Sequence, residues 1–245
     1  MKCIILAAGY ATRLYPLTEN FPKPLLTVGG KTILDWLVDD LEETGEVDGY
    51  VVVTNRKFAQ HFTDWAGTKK ADISVVDDGT LTNETRLGAV KDILLAINEK
   101  KLDDDLLVLA GDNVLSFSLS HFVDYCKQKN ASCVMRYFEP DEARLQRAGV
   151  AEIADDDRVL RLEEKPEKPK SHWCTPPFYF YKREDVGFVA KAIDDGCGTD
   201  APGSFISYLC RHTAVYSMEM PGRRFDIGTL EGYKKIDAEY KGITE

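Results

Sequence analysis

A chain of 245 residues, 44% hydrophobic and 29% charged, has room for one large α/β domain and the composition of an ordinary globular protein. Its net charge of −10 excludes nucleic acid as a partner, because binding a phosphate backbone requires a broad basic face. No apolar run is long enough to span a bilayer, and Met1-Lys2 runs straight into a core-strand pattern, so neither a membrane partner nor a secretory leader is expected.

Cys3 to Ala8 is an apolar run without alternation, the pattern of a strand buried on both faces of a parallel sheet. It breaks into Gly9-Tyr10-Ala11-Thr12-Arg13, a loop of mostly small residues that ends on a guanidinium. Small residues let backbone N–H groups approach a phosphate closely, and arginine offers a rigid fork matched to phosphate oxygens. Pro16 and Pro22 keep the next segment out of helix, and Lys23 adds a second cation. The dinucleotide fingerprint and the P-loop pattern are both absent.

Further along, Gly49 to Thr54 and Leu106 to Ala110 read as buried parallel strands, with Ala71 to Val76 a weaker third. Thr32 to Leu41, Lys57 to Trp65 and Leu87 to Ile97 carry helical apolar periodicity between them. This alternation predicts a doubly wound, mostly parallel α/β sheet with ligands off the carboxyl ends of its strands. From about residue 114 the pattern is mixed. A helix is predicted near Ser118 to Lys129, and strands over Ala131 to Phe138, Gly149 to Ile153, Val159 to Leu162, Phe178 to Tyr181 and Ala214 to Met218. A helix over Thr229 to Tyr240 closes the chain. With no linker composition between the halves, a single domain is expected, residues 1–113 binding nucleotide and residues 114–245 supplying a mixed-sheet, substrate-binding lid. Six scattered cysteines form neither a zinc pattern nor a disulfide framework, which points to reduced thiols and the cytoplasm.

The stretch from Leu6 through Lys23 resembles the signature of the sugar-1-phosphate nucleotidylyltransferases, departing at Ala11, where relatives have glycine. The resemblance implies a Rossmann-like nucleotidyltransferase fold, an activated nucleotide and a phosphorylated small molecule as ligands, and Mg2+ as cofactor. Leu6, Ala8, Gly9 and Thr12 would bind the nucleotide, and Arg13 and Lys23 would act in catalysis. Leu109-Ala110-Gly111-Asp112-Asn113 and Phe225-Asp226-Ile227-Gly228-Thr229 resemble the two metal motifs, so Asp112 and Asp226 would hold the metal, Asp112 also touching nucleotide. Two carboxylates plus substrate phosphates suit magnesium. Glu164-Lys165-Pro166 resembles the motif that binds the sugar phosphate through Lys165 and sugar hydroxyls through Glu164. Gly149 matches a glycine whose backbone meets the sugar, and Gly88 and Asn83 fall where relatives contact the base. An Asn amide serves uracil, thymine or cytosine alike, and Asn83 reads equally as a turn residue.

Pro176-Pro177 stands where relatives have Thr-Gly, and Trp173 lies nearby. An aromatic box can hold a quaternary ammonium, so a cytidylyltransferase acting on phosphocholine remains an alternative to a sugar substrate accepting UMP or dTMP. A glycosyltransferase would need its Asp-x-Asp after a strand, whereas Asp103-Asp104-Asp105 precedes one. A non-catalytic nucleotide sensor would have lost Arg13, Lys23 or an aspartate, and none is missing. A homo-oligomer is left open.

Overall fold

The computed structural model describes residues 1–244 and, at Asp226, the backbone alone. The chain condenses into two compact units. One comprises Met1–Arg86, Ala110–His121 and Pro221–Glu245, and the other Leu87–Leu109 and Phe122–Met220. Both units are α/β.

In the first unit, Lys2–Leu6, Tyr50–Thr54 and Ile73–Asp77 pair in parallel, with Ile4 opposite Val51 and Val51 opposite Ser74. Ile4, Ile5, Val52 and Val53 have no exposed surface, as unalternated strands demand. Each such side chain contributes about 1.5–3 kcal/mol on burial. The first strand ends at Leu6, two residues short of the apolar run. Beyond it the Ala8 carbonyl is taken by the Asn55 side chain (3.0 Å) instead of a strand neighbour, which turns the backbone out of the ladder. The Ile33–Thr44 helix starts on a capping box between Thr32 and Asp35 and ends at Gly45 in the left-handed region (φ 66°). Such a cap is worth about 1 kcal/mol. Its Ile33, Leu34, Leu37, Val38 and Leu41 face is buried. Two antiparallel pieces complete this unit. Thr27–Val28 pairs with Lys31–Thr32, and Asn113–Leu115 pairs with Arg224–Asp226, which sets the Asp226 backbone opposite Asn113. The Leu230–Glu239 helix follows, its Thr229 cap accepting from the Gly232 N–H.

The second unit carries a mixed sheet in the order Val159–Glu164, Gly149–Ile153, Trp173–Thr175, Ser132–Phe138, Phe178–Tyr181, Leu106–Ala110. These neighbours are antiparallel, while Val215–Glu219 joins Ser132–Phe138 in parallel. Phe178–Tyr181 is buried throughout, so the proline pair before it does not interrupt the ladder. The sequence did not foretell Trp173–Thr175 or the short helices Arg183–Val186, Phe188–Asp194 and Gly203–Leu209, which are too brief to show a period.

Gly88 caps the Ala89–Lys100 helix at φ 94°, and a Cβ there would lie 2.5 Å from the Thr199 carbonyl oxygen. The Val90 N–H donates to that same oxygen at 3.0 Å. The backbone that approaches Gly88 is thus the chain's own. Gly88→Ala is expected to cost more than about 2 kcal/mol, from a backbone clash combined with a disfavoured φ. Urea unfolding checks this, and an unchanged midpoint would show that the Thr199 strap moves freely.

Candidate active site

The first unit opens a cleft of about 250 Å³ at the carboxyl end of Lys2–Leu6, lined by Leu6, Gly9, Ala11, Arg13, Lys23 and Asp112 among others. The loop is fixed from outside the cleft. The Ala8 carbonyl accepts from Asn55, the Ala11 carbonyl accepts from Thr18 (2.8 Å), and the buried Tyr10 hydroxyl meets Thr80 (3.3 Å). Anchoring through carbonyls leaves the donors over. Among the described residues, the N–H groups of Gly9 through Arg13 take part in no hydrogen bond within the chain. A Cβ built on Gly9 would meet nothing, so the space over it is the cleft itself. Consecutive unspent amides beside an arginine form an anion nest.

Ala11 departs from the expected glycine in a way the residue type alone does not reveal. It sits at φ 46°, ψ 41°, the left-handed region. Alanine there costs about 1–2 kcal/mol, so the penalty is conformational more than a matter of crowding a phosphate. Two hydrogen bonds to its carbonyl, from Thr18 and from the Leu14 N–H (2.9 Å), hold it in place. Thr12 and Arg13 follow in a 3-10 turn, both exposed.

Lys23 has only 7% of its side chain exposed, and its Nζ lies 2.7 Å from Asp112 Oδ2. Asp112 is 43% exposed toward the cleft. Its other oxygen accepts from Asn113 Nδ2 (3.2 Å), which also reaches the Ala110 carbonyl (3.1 Å). Arg224 Nη1 donates to Asn113 Oδ1 (2.8 Å), which fixes which way that buried amide faces. The Asp226 side chain lies outside the described residues. Its backbone stands opposite Asn113, the residue next to Asp112. Asn83 occupies a 3-10 turn, its carbonyl accepting from Arg86 (2.9 Å), and Gly88 is held by Thr199 as described.

A second cluster forms within the second unit. Glu164 pairs with Gly149 across the antiparallel ladder. The Glu164 carboxylate lies against the Gly203 backbone, where a Cβ would fall 2.0 Å from its Oε1. A Cβ on Gly149 would fall 3.2 Å from the same oxygen. Two glycines therefore make the recess that Glu164 fills. Burial raises the Glu164 pKa above the ordinary carboxylate value, with Lys165 and the Gly203 amide opposing. Lys165 is exposed, at φ 48°, with its N–H on the Ala148 carbonyl (2.9 Å). Trp173 is already engaged. The Arg136 guanidinium lies 4.9 Å from its ring centroid, and Phe138 meets it edge-on at 5.6 Å.

No role was expected for Asn55, Arg224 and Gly203, which lie outside the quoted motifs, or for Thr18 and Asn113, which lie within them; each orients a neighbour that only the folded chain places beside it or holds still. Among the described residues no three His, Cys, Asp or Glu side chains form a metal cluster, and no helix is long and apolar enough to cross a membrane.

Residues 2–242 match the Nucleotidyl transferase family, and the chain belongs to it. It is 28% identical over its full length to the bifunctional protein GlmU of Methanocaldococcus jannaschii, of which it covers 57%. The chain thus spans about half the length of the GlmU relatives it matches. It is 30% identical to the UTP–glucose-1-phosphate uridylyltransferase AglF of Haloferax volcanii, covering 98% of this chain and 92% of that protein. In fold it is similar to a UDP-glucose pyrophosphorylase solved with UDP-glucose, at TM-score 0.81 and 19% identity over 98% of this chain and 97% of the other.

Proposed function

We propose that this protein transfers a nucleoside monophosphate from UTP or dTTP to a sugar 1-phosphate, as a single cytoplasmic nucleotidyltransferase domain whose residues 1–113 serve the nucleotide and 114–245 the sugar phosphate. The observation that carries this reading is the nest of unspent amides from Gly9 to Arg13 beside the Lys23–Asp112 pair. A nonbridging oxygen of the sugar phosphate attacks the α-phosphorus. The bond from that phosphorus to the bridging oxygen breaks, and pyrophosphate leaves with the electron pair. A phosphate monoester has its second pKa at about 6, so the nucleophile is dianionic at neutral pH and needs no general base. The work left to the protein is positioning and charge stabilisation. Gly9 to Arg13 would bind triphosphate oxygens, with the Arg13 guanidinium matching charge that develops on pyrophosphate. Lys23 would neutralise the same phosphates from its buried stem. Lys165 would hold the attacking phosphate, and Glu164 would accept from sugar hydroxyls.

The donor set fits magnesium. Asp112 offers a half-exposed hard oxygen to the cleft, and the Asp226 backbone lies beside its neighbour in the ladder. Asp112 and Asp226 would hold the ion, which when bound supplies positive charge to the phosphate oxygens.

Phosphocholine competes as a reading through Trp173. The face of that ring already carries the Arg136 cation, which favours the sugar. Glu164 supplies the discriminating test, because choline has no hydroxyl partner for it. Direct competition should favour glucose 1-phosphate over phosphocholine, and Glu164→Gln should weaken the sugar substrate by about 10-fold. The pH dependence has a defined sign. Glu164 accepts hydrogen bonds fully only when ionised, and its folded pKa is raised. Sugar-phosphate affinity should therefore fall as pH drops, with a midpoint above the ordinary carboxylate range, and that step should vanish in Glu164→Gln. Preference for phosphocholine with indifference to the variant would replace this substrate.

A further inference from the structure

The Val159–Glu164 strand starts, and the Gly203–Leu209 helix ends, at a separate cleft of about 340 Å³ in the second unit, lined by Arg158, Leu160, Cys210, Arg211, His212 and Thr213. In a chain of net charge −10, three basic side chains meet there. Among the described residues, neither the Arg158 nor the Arg211 guanidinium makes an ion pair. The acidic run Asp155-Asp156-Asp157 next to Arg158 does not engage it through side-chain charge. Asp157 is paired with Arg136 (2.9 Å), and Asp156 accepts from the Arg158 backbone (3.2 Å).

Two of the three side chains are ordered on a shared platform. The His212 ring stacks on Tyr208 at 4.2 Å, and its Nδ1 donates to the Tyr208 carbonyl at 2.9 Å, leaving Nε2 for another partner. The Arg211 guanidinium lies 5.5 Å from the same ring centroid. Tyr208 is itself fixed by its hydroxyl on Asp195 (2.6 Å). Two guanidinium groups around one recess are complementary to a compact anion, and arginine forks match phosphate in particular.

We infer that this cleft binds a phosphate group, free or carried on a small metabolite, between Arg158 and Arg211, and that its occupancy tunes the Glu164–Lys165 cluster. The link is covalent and short. The strand that begins beside Arg158 ends at Glu164, and the helix that ends beside Arg211 begins at Gly203, whose backbone lies against the Glu164 carboxylate. A bound anion bridging the two arginines ties the outer ends of the elements whose inner ends set Glu164. Binding at the cleft is independent of the reaction proposed above, and its effect on turnover rests on that reaction.

The test uses the full chain with 13C-labelled histidine and NMR, assigned by the loss of one resonance in His212→Gln. Titration with inorganic phosphate, and separately with glucose 6-phosphate, should move the His212 resonance saturably. A response to both assigns the phosphate group itself, and a response to one names the source. Arg158→Gln/Arg211→Gln, two exposed substitutions, should abolish the shift and leave basal turnover unchanged, while Lys165→Ala should keep it. In wild type, the saturating probe should change KM for the sugar 1-phosphate by about 5-fold or more. The double variant should lose that change. Absence of a His212 shift, or its persistence in the double variant, overturns the site. A normal shift with KM unmoved overturns the coupling alone.

Discussion

Asp112→Asn is expected to lower turnover by about 10²–10³-fold while the protein stays folded, the scale for removing one preorganised charge from a site of charge development. The carboxylate stands between Lys23 at Oδ2 and the Asn113 amide at Oδ1, so its position is fixed and its charge faces the cleft. Asparagine keeps an oxygen for the buried Lys23 but forfeits the negative charge that would hold a divalent cation. Losing a charged partner for one hydrogen bond costs about 1–3 kcal/mol, within the margin of an ordinary domain. Activity measured against magnesium concentration, with circular dichroism to confirm the fold, decides it. Full activity at limiting magnesium would remove Asp112 from the metal. Asp226→Asn should behave alike, on the strength of its motif and the pairing of its backbone with Asn113.

Arg13→Ala is expected to reduce kcat by about 10²-fold with KM little changed. Arg13 is exposed at the end of the amide nest, and among the described residues its guanidinium has no internal partner that the substitution would strand. Stability should therefore move by less than about 0.5 kcal/mol. The N–H groups of Gly9 to Arg13 remain in the variant and continue to bind ground-state phosphates. In the proposed reaction the guanidinium would be the group that follows charge onto pyrophosphate as the bond breaks. Steady-state kinetics separate the two effects. A raised KM with kcat intact would make Arg13 a binding residue only.

The sequence made the regular elements readable wherever burial wrote an uninterrupted pattern. Leu106–Ala110 and Phe178–Tyr181 fall where their apolar runs place them. It was silent on Trp173–Thr175, three residues whose strand character comes from neighbours on both sides. The loop from Gly9 to Arg13 was legible as a loop because its glycine and arginine are local. The Lys23–Asp112 pair was not, because the two residues are 89 positions apart and only the fold joins them. The Arg224–Asn113–Asp112 chain and the Gly203 recess for Glu164 are likewise products of tertiary structure. Ala11 shows the converse. A departure that looks steric in the sequence proves to be a left-handed backbone position, held by hydrogen bonds from Thr18 and Leu14.

Group transfer from a nucleoside triphosphate to a sugar phosphate is open to one direct measurement. The protein is incubated with UTP, glucose 1-phosphate and magnesium, and pyrophosphate and UDP-glucose are quantified together, with dTTP run in parallel. Equal amounts of pyrophosphate and nucleotide sugar are expected from at least one of the two nucleotides, and neither product when the sugar phosphate is omitted. Nucleotide bound without release of pyrophosphate, or pyrophosphate released without any sugar adduct, would contradict it.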